Sequence, residues 1–441
     1  MTDITYLTAA ETGRRIATRD LDARDVTEAY LGAIEASPFA NRIYARVTAE
    51  AARTEAASAA DRASRGVLRG PLDGVPISWK DLYDTAGVAT EAGSAMIAGR
   101  VPDRDATVVA RGRRAGVVSL GKTHMTELAF SGLGLNPVTE TPPNFVDHAL
   151  VPGGSSSGAA ASIAFGLAAA GIGSDTGGSV RIPACWNDLV GLKTTHGLIP
   201  ADGVVLLIES FDTIGPLARS VEDLALLTAM MADQAAPDLS GASLKGVKLL
   251  VAEGLPLDGE CEDAPRAAFE ASLAPLKDAG AEIHRAEIPE IDEAMAISLP
   301  LYVGEAWAEW GAVIREKGDL MYPPVRERFE SGDGITLEHY WGAWRELKAI
   351  RQRYLARVAG YDAVLMPTSP ILPPDRERLL TDDAYFTAKN LLALRNTRIG
   401  NLLGLCSLTL PTDTPMCGLN LMAAPFEEAK LLRLGAAIEA L

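Results

Sequence analysis

The chain has 441 residues, of which 41 are Lys or Arg and 58 are Asp or Glu, so its formal net charge is −17. This acidic excess opposes binding to phosphate backbones and anionic lipid surfaces, and we therefore expect neither nucleic acid nor a membrane as a partner. Hydrophobic residues make up 48% of the chain and charged residues 22%, a composition typical of folded globular proteins and not of disordered ones.

The sequence offers no apolar segment long enough to cross a bilayer. The longest nearly apolar run covers residues 159–173, whereas a spanning helix needs roughly 18 to 20 residues. The first residues carry acids and arginines where a secretory signal needs an apolar stretch, so we expect a cytoplasmic protein. The cysteines form no CxxC pair and no HExxH motif is present, which predicts neither a disulfide framework nor a metal site. The cysteines are Cys185, Cys261, Cys406 and Cys417.

Helical and strand patterns alternate along the first part of the chain. Residues 9–65 are rich in Ala, Arg and Glu with helical spacing, and they predict two amphipathic helices. Residues 70–80 place turn residues around a short apolar run, and they predict a buried strand that ends at Lys80. Residues 104–121 predict a helix followed by a strand over 117–120. The alternation favours an α/β layered fold.

Two features follow farther along the chain. Residues 233–244 combine Pro, Asp, Ser and Gly and predict a connector. Residues 302–344 contain aromatic side chains at helical spacing, a pattern that favours core packing over a substrate-pocket wall. This aromatic cluster consists of Tyr302, Trp307, Trp310, Tyr340, Trp341 and Trp344.

A first motif, residues 116–123, satisfies the phosphate-loop template GxxxxGK[ST]. In a phosphate loop the strand precedes the first glycine, whereas here Val117, Val118 and Leu120 are themselves the predicted strand. We therefore interpret Lys122 as a strand-end lysine and keep a phosphate-loop nucleotide-binding protein as a remote alternative.

A second motif, residues 154–158, fits the GxSxG nucleophile elbow of esterases with Ser156 as the nucleophile. That mechanism needs an acid and then a histidine downstream of the serine. His284 and His339 are available, but neither lies in a glycine-framed or metal-like setting. The esterase elbow is therefore the weaker interpretation of this serine-rich segment.

A third set of residues accounts for more of the sequence. Lys80 ends a predicted strand, residues 153–158 read GGSSSG, and residues 173–183 read GSDTGGSVRIP. Gly177 and Gly178 allow a tight turn whose N–H groups precede a helix start and can converge on a developing oxyanion.

The residue after these two glycines, Ser179, occupies the position of a nucleophile. A serine hydroxyl is a weak nucleophile until a base removes its proton, and a neutral lysine relayed through a second serine can be that base. Lys80 and Ser155 supply these two parts. The set as a whole predicts a serine amidase site.

Lys80 and the two glycine-serine motifs, in this order, resemble the amidase signature family of Ser-cisSer-Lys hydrolases. The resemblance extends over essentially the whole chain, through residues 191–200, 211–223 and 418–434. It implies one α/β/α domain over residues 1–441, with a mixed sheet covered by helices on both faces, instead of the three domains that the length alone suggests.

Within that domain the resemblance implies three parts. We expect N-terminal helices over residues 1–65, a signature core over about 66–232, and a part that determines specificity over about 245–441. The roles implied for single residues are a nucleophile at Ser179, a bridging serine in a cis peptide at Ser155, and a general base at Lys80. The backbone of Ser179 and of three residues before it would form the oxyanion hole, and two charged residues would hold the loop by polar bonds. These are Thr176, Gly177 and Gly178 for the oxyanion hole, and Asp175 and Arg181 for the loop.

The implied activity is hydrolysis of a linear amide C–N bond through a serine acyl-enzyme, with no metal or organic cofactor. An alternative is the glutamine-hydrolysing subunit of a tRNA-dependent amidotransferase, which works with a partner. We expect a small-molecule amide as the substrate, and the oligomeric state stays open, with a homodimer as one candidate.

The substrate pocket follows less directly from the resemblance. Residues 137–148 depart from the commonest family version, and Ser157 stands where glycine is frequent. The signature offers Arg181 as its cation, and the loop already uses it, whereas the aromatic cluster favours an apolar or aromatic acyl group. The sequence therefore predicts that neutral aryl or alkyl amides are cleaved better than anionic ones.

Overall fold

Eleven strands form one mixed sheet in the computed structural model, which describes residues 4–441. The strands are β1 (Tyr44–Val47), β2 (Pro76–Lys80), β3 (Val118–Thr123), β4 (Ala170–Asp175), β5 (Val190–Lys193), β6 (Thr213–Ala218), β7 (Lys248–Glu253), β8 (Glu282–Glu287), β9 (Ala363–Pro367), β10 (Cys406–Pro411) and β11 (Gly418–Ala423). Their order across the sheet is β1-β3-β2-β4-β6-β5-β10-β11-β9-β7-β8. The predicted α/β fold with a central mixed sheet is confirmed.

Helices flank this sheet along the whole described chain. They are α1 (Ala9–Thr18), α2 (Ala23–Ala36), α3 (Ala40–Ile43), α4 (Ala49–Ser64), α5 (Thr107–Ala115), α6 (Ser157–Ala164), α7 (Arg181–Trp186), α8 (Val221–Ala232), α9 (Asp263–Asp278), α10 (Pro289–Ala296), α11 (Ser298–Lys317), α12 (Pro323–Glu330), α13 (Leu337–Val358), α14 (Arg376–Thr381), α15 (Asp383–Ala393), α16 (Arg395–Leu402) and α17 (Glu428–Glu439). Short 3₁₀ helices cover Ile4–Tyr6, Ala95–Ile97, Glu127–Ala129, Leu255–Leu257 and Gly318–Leu320.

Strands β2 and β4 position the chemistry that follows. They pair in parallel, with Ile77 opposite Ala170 and Trp79 opposite Ile172. Every residue of both strands is buried, as expected for parallel strands covered by helices on both faces. Because the two strands run in the same direction, their carboxyl ends meet at one edge of the sheet.

The strand predicted to end at Lys80 does so, as β2. The helix and strand predicted over residues 104–121 are α5 and β3, although β3 continues to Thr123. The predicted connector over residues 233–244 contains neither helix nor strand, and it joins α8 to β7.

The prediction of two helices over residues 9–65 was wrong, because four helices and a strand occupy this segment. Arg19 adopts a left-handed conformation that ends α1, and the Asp22 side chain then accepts a hydrogen bond from Arg24 N and begins α2. Strand β1 forms where the chain pairs antiparallel with β3. A pairing with a strand some 75 residues away along the chain leaves little trace in four residues of local sequence.

Candidate active site

Polar side chains gather where β2 and β4 end. Lys80 is the last residue of β2 and Asp175 the last residue of β4. Ser174 lies beside Lys80, because its hydroxyl accepts a hydrogen bond of 2.8 Å from Lys80 Nζ. The parallel register thus delivers a cation and two polar residues to one point of the sheet edge.

The GGSSSG segment enters this point from the start of α6. The peptide bond between Gly154 and Ser155 is cis, as the resemblance predicted. A Cβ at Gly154 would lie 2.7 Å from the Cα atom of Gly134, so only glycine allows these two segments of the backbone to approach this closely. The hydroxyl of Ser155 is thereby held at the end of β2.

Lys80 and Ser155 are in direct contact. The Nζ atom of Lys80 donates a hydrogen bond of 2.7 Å to Ser155 Oγ, and Lys80 is 0% exposed. Burial disfavours the charged amine and lowers the pKa of Lys80 to about 7, although the carboxylates of Asp212 and Asp175 oppose this shift. The neutral amine needed for a base is therefore far more accessible near neutral pH than in an exposed lysine.

Ser179 lies next to the GGSSSG segment, since Ser156 N donates a hydrogen bond of 3.2 Å to Ser179 O. Ser179 is 4% exposed and lines a crevice at the protein surface. Across the described residues 4–441, the structure records no hydrogen bond made by Ser179 Oγ. The hydroxyl is therefore free to meet a ligand in the crevice.

Asp175 and Arg181 hold the loop that carries Ser179. The carboxylate of Asp175 accepts from Arg181 Nε at 3.0 Å and Arg181 Nη2 at 2.9 Å, and also from Gly178 N at 2.8 Å and Val180 N at 3.1 Å. Burial raises the pKa of this carboxyl, but the Arg181 guanidinium and the Asn401 amide outweigh burial and set it at about 2. Both side chains are fully buried, and the Asp175 carboxylate stays ionised at neutral pH.

The same contacts narrow the set of oxyanion donors. The N–H group of Gly178 already donates to Asp175, whereas no acceptor is recorded among the described residues for the N–H groups of Thr176, Gly177 and Ser179. Two features require glycine at position 178. A Cβ there would lie 2.1 Å from Thr397 Oγ1, and the backbone adopts a positive φ of 137°.

Three residues outside the predicted set, Tyr302, Thr397 and Asp212, also fix the loop, and a fourth, Ser174, contacts Lys80. Tyr302 donates its hydroxyl to Thr176 O at 3.0 Å, and Thr397 donates to Gly177 O at 2.8 Å. The Thr176 hydroxyl donates to Asp212 at 2.5 Å, and Ser174 contacts Lys80. Asp212 and Ser174 lie inside segments that carried the resemblance, which is a signal that could have found them. Tyr302 belongs to the aromatic cluster noted in the sequence, whereas Thr397 comes from a helix whose local sequence gives no signal.

The two competing motifs occupy different settings. Ser156 is fully buried, and its hydroxyl is bound to the backbone of Ser174, donating to the carbonyl and accepting from the N–H at 3.2 Å each. Lys122 belongs to β3, donates to Tyr83 O at 2.6 Å and pairs with Asp81 at 3.2 Å. Residues 116–123 thus form a strand instead of a phosphate cradle, and Ser156 is not presented as a nucleophile.

The crevice is lined partly by residues that the sequence did not single out. Its lining includes Ala129, Phe130, Ser131, Thr176, Gly177, Ser179, Leu207, Tyr302, Arg328, Leu394 and Arg398. Three of these, Tyr302, Arg328 and Arg398, also line an adjoining cavity of about 300 Å³. The site therefore extends from Ser179 past two arginines that no motif predicted.

Most of the aromatic cluster packs away from the crevice. Trp344 stacks on Phe211 with ring centroids 5.3 Å apart, Trp310 donates to Leu206 O, and Trp341 is 53% exposed. Of the six residues in the cluster, all of which are described, only Tyr302 lines the crevice. Core packing therefore holds for Trp310 and, in part, for Trp344, whereas Trp341 lies at the surface.

Two further features of residues 4–441 concern metal ions and membranes. No group of three or more His, Cys, Asp or Glu side chains there is arranged to hold a metal ion. Among the helices of this part of the chain, none combines the length and apolarity that a membrane crossing requires.

Comparisons with known proteins agree with this geometry. A 2-amino-5-chloromuconic acid deaminase of Comamonas testosteroni is 36% identical, and the match covers 99% of this chain and 96% of that protein. A glutamyl-tRNA(Gln) amidotransferase subunit of Chloroflexus aggregans is 31% identical, with 100% and 97% covered. The crystal structure of an amidase superposes with a TM-score of 0.88 at 31% identity, covering 98% of this chain and 99% of that one.

The family model described as Amidase matches residues 25–432, which is nearly the whole chain. Its match agrees with the mixed sheet, with the cis peptide before Ser155 and with the two glycine-serine motifs. The chain belongs to the amidase signature family, whose members are amidohydrolases.

Proposed function

We propose that this amidase cleaves a carboxylic amide through an acyl-enzyme formed on Ser179. The observation that carries the proposal is the 2.7 Å hydrogen bond between Lys80 Nζ and Ser155 Oγ in a fully buried setting. In this hydrogen bond the donor is Lys80, whose pKa burial lowers to about 7. The acceptor, Ser155, directly precedes Ser156, whose N–H group donates to Ser179 O. These contacts support Lys80 as the base, Ser155 as the relay and Ser179 as the nucleophile.

In the proposed reaction the lone pair of neutral Lys80 accepts the Ser155 proton, while Ser155 accepts that of Ser179. Ser174 orients the amine by accepting its other hydrogen bond. The Oγ atom of Ser179 bonds to the amide carbon, and the N–H groups of the loop stabilise the oxyanion. The C–N bond then breaks as the proton returns through Ser155 to the leaving nitrogen.

The second half of the reaction releases the acid. Water attacks the ester carbon of the acyl-enzyme, and the same relay removes its proton and returns one to Ser179 Oγ. The products are a carboxylic acid and ammonia or an amine. Every step uses groups that this chain supplies, together with the substrate and water.

A fluorophosphonate probe should label Ser179, because this serine alone among the candidates faces the crevice beside N–H groups without acceptors. Peptide mapping of the labelled protein by mass spectrometry identifies the site. Label on Ser156 would instead support the esterase elbow, and absence of label on every serine would contradict a serine nucleophile. Heat-denatured protein provides the control for adventitious labelling.

The pH dependence of kcat/KM should follow the ionisation of Lys80. Since burial lowers its pKa to about 7, the neutral amine predominates above that pH and the charged amine below it. We expect kcat/KM to fall about tenfold per pH unit on the acid side of an inflection near 7 and to level off above it. A profile that stays flat down to pH 5 would remove Lys80 as the base.

A second candidate is the glutamine-hydrolysing subunit of a tRNA-dependent amidotransferase, in which the same site would release ammonia for a partner. The observation in its favour is the match to the amidotransferase subunit of Chloroflexus aggregans over nearly both chains. Glutamine hydrolysis that appears only with a copurifying partner would favour it over a free-standing amidase. A homodimer and a cytoplasmic location stay predictions.

The name of the Comamonas testosteroni relative specifies loss of an amino group from an acid. We therefore include ammonia release from acidic substrates among the activities to be tested.

A further inference from the structure

Two arginines line the crevice that holds Ser179. Arg328 lies in α12 and Arg398 in α16, so they come from helices about 70 residues apart in the chain. Both side chains, with Tyr302 between them in the lining, also border the adjoining cavity of about 300 Å³. Two guanidinium groups therefore converge where the crevice opens into the cavity.

Neither guanidinium has an acidic partner in the described part of the chain, because no carboxylate oxygen lies within 4.0 Å of either. Arg328 Nη1 donates to Phe130 O at 3.0 Å, and the guanidinium stands 4.2 Å from the centroid of the Phe130 ring. Arg398 stands 5.8 Å from the centroid of the Tyr302 ring, and its Nη2 atom is buried without any hydrogen-bond partner. The donors that remain are unpaired.

Nearby arginines on the same two helices are paired. Arg326, two residues before Arg328, donates to Asp319 and Glu330, and Arg395 in α16 donates to Asp258 and Glu260. The two arginines that line the crevice, Arg328 and Arg398, form no such ion pairs with the described residues. Lack of acidic partners is thus a property of the crevice and not of these helices.

An unpaired arginine in a partly closed site is costly for the folded chain. Burial lowers the pKa of Arg328 to about 9, and the positive charge of Arg398 lowers it further in the same direction. Burial also lowers the pKa of Arg398. Arg328 still carries its charge at neutral pH, and an anion between the two guanidinium groups would supply the missing acceptors and offset their repulsion.

The other lining residues of the crevice indicate which part of the substrate would lie between the anion and the reacting carbonyl. Leu207, Leu394 and Phe130 present apolar surface in the same crevice, which suits a short methylene chain. The single acidic residue that lines the adjoining cavity, Glu327, is exposed and lies beyond 4.0 Å of both guanidiniums. It therefore leaves the arginine donors to a ligand.

We propose that Arg328 and Arg398 bind a carboxylate on the acyl part of the substrate, so that the preferred substrates are monoamides of short dicarboxylic acids. This inference rests on the proposed function of Ser179. It reverses the preference for neutral aryl or alkyl amides predicted from the sequence. That prediction counted Arg181 as the sole cation of the site, and the structure adds two more.

The test compares amides that differ in charge and match in length. Succinamate and glutaramate carry one carboxylate, whereas succinamide and glutaramide replace that carboxylate with a neutral amide of nearly the same shape. For the wild-type protein we expect kcat/KM to be roughly 10- to 100-fold higher for each anion than for its neutral counterpart. A preference for the neutral diamides would overturn the proposal.

Variants of the two arginines locate the source of the preference. In Arg328→Met and Arg398→Met we expect kcat/KM for the anions to fall by roughly 10- to 100-fold, mainly through KM, and that for the diamides to fall much less. Arg328→Lys should recover part of the preference. Arg326→Met, in the same helix but paired outside the crevice, is the matched control and should keep the wild-type preference. Equal losses for both classes of amide would indicate a merely structural role and would overturn the proposal.

Direct binding separates this inference from the chemistry at Ser179. Glutarate binding to a Ser179→Ala variant, measured by calorimetry, needs no turnover. We expect the Kd to weaken at least about 10-fold when Arg398→Met is added. If wild-type protein hydrolyses none of the amides while glutarate still binds in this way, the proposed function fails and the carboxylate site stands. Absence of glutarate binding to Ser179→Ala overturns the carboxylate site whatever the turnover.

Discussion

Replacing Lys80 with methionine should lower kcat by roughly 10⁴-fold while the protein stays folded. Methionine fills a similar volume and needs no hydrogen-bond acceptor, so the buried end of β2 keeps its packing. The hydroxyl of Ser155 then has no amine to receive its proton, and Ser179 loses its base. Steady-state kinetics with the best amide and thermal unfolding of the same sample measure the two effects.

A second lysine gives the matched control for this experiment. Lys122 is also buried, on the neighbouring strand β3, but it pairs with Asp81 and contacts no crevice residue. Lys122→Met leaves Asp81 with Arg46 as its remaining cationic partner, so we expect it to lower the free energy of unfolding by roughly 1 to 3 kcal/mol. Its kcat per folded molecule should stay close to that of the wild type. Near-normal turnover in Lys80→Met would remove Lys80 from the mechanism.

The segments that carry the proposed catalytic residues could be predicted from the sequence because their constraints are local. Gly154 and Gly178 lie where a Cβ would collide with another segment of the chain, so only glycine fits at these positions and the sequence shows it directly. Lys80 could be placed because turn residues and an apolar run define the end of β2. These features depend on a few neighbouring residues, and the structure brings them together as expected.

The specificity of the crevice could not be predicted in this way. Arg326 and Arg328 are separated by a single glutamate, yet one is paired at the surface and the other faces the crevice. Which of the two enters the site depends on how α12 rotates against its neighbours, and the local pattern of charges is nearly the same for both. The same holds for Arg395 and Arg398 in α16, of which Arg395 is paired and Arg398 lines the crevice. Only the packed helices resolve it.

The prediction of two helices over residues 9–65 was wrong for a related reason. Strand β1 is four residues long and contains Arg46, which local propensity does not assign to a buried sheet. It is a strand because β3 offers it a free edge, with Tyr44 opposite Thr123 and Val47 opposite Gly121. The partner decides the conformation, so the helical composition of the surrounding residues was misleading.

Replacing Arg181 with methionine should lower the free energy of unfolding by roughly 3 to 5 kcal/mol, because it strands a buried carboxylate. Asp175 would lose both hydrogen bonds from the guanidinium and keep only neutral donors. The loop before Ser179 depends on the same carboxylate, so kcat should fall together with stability. Chemical denaturation at pH 7 measures the first effect and amide turnover at low temperature the second.

The pH dependence of stability checks the same pair. The pKa of Asp175 is about 2 in the folded protein and near 3.8 when unfolded, so its contribution is complete above pH 4 and disappears as the pH falls toward 2. In Arg181→Met this pKa should rise, because burial then outweighs the remaining donors. Once this pKa lies above the unfolded value of 3.8, protonation of Asp175 favours the folded state, so the variant should lose less stability on acidification than the wild-type protein.

A double substitution separates the stranded charge from lost packing. Arg181→Met combined with Asp175→Asn removes the unpaired carboxylate, so we expect it to be more stable than Arg181→Met alone. Arg326→Met, an exposed arginine with two carboxylate partners, should leave the unfolding midpoint nearly unchanged and serves as the control. If Arg181→Met were as stable as this control, Asp175 and Arg181 would not be what holds the nucleophile loop, and the polar contacts of Tyr302 and Thr397 would have to be sufficient.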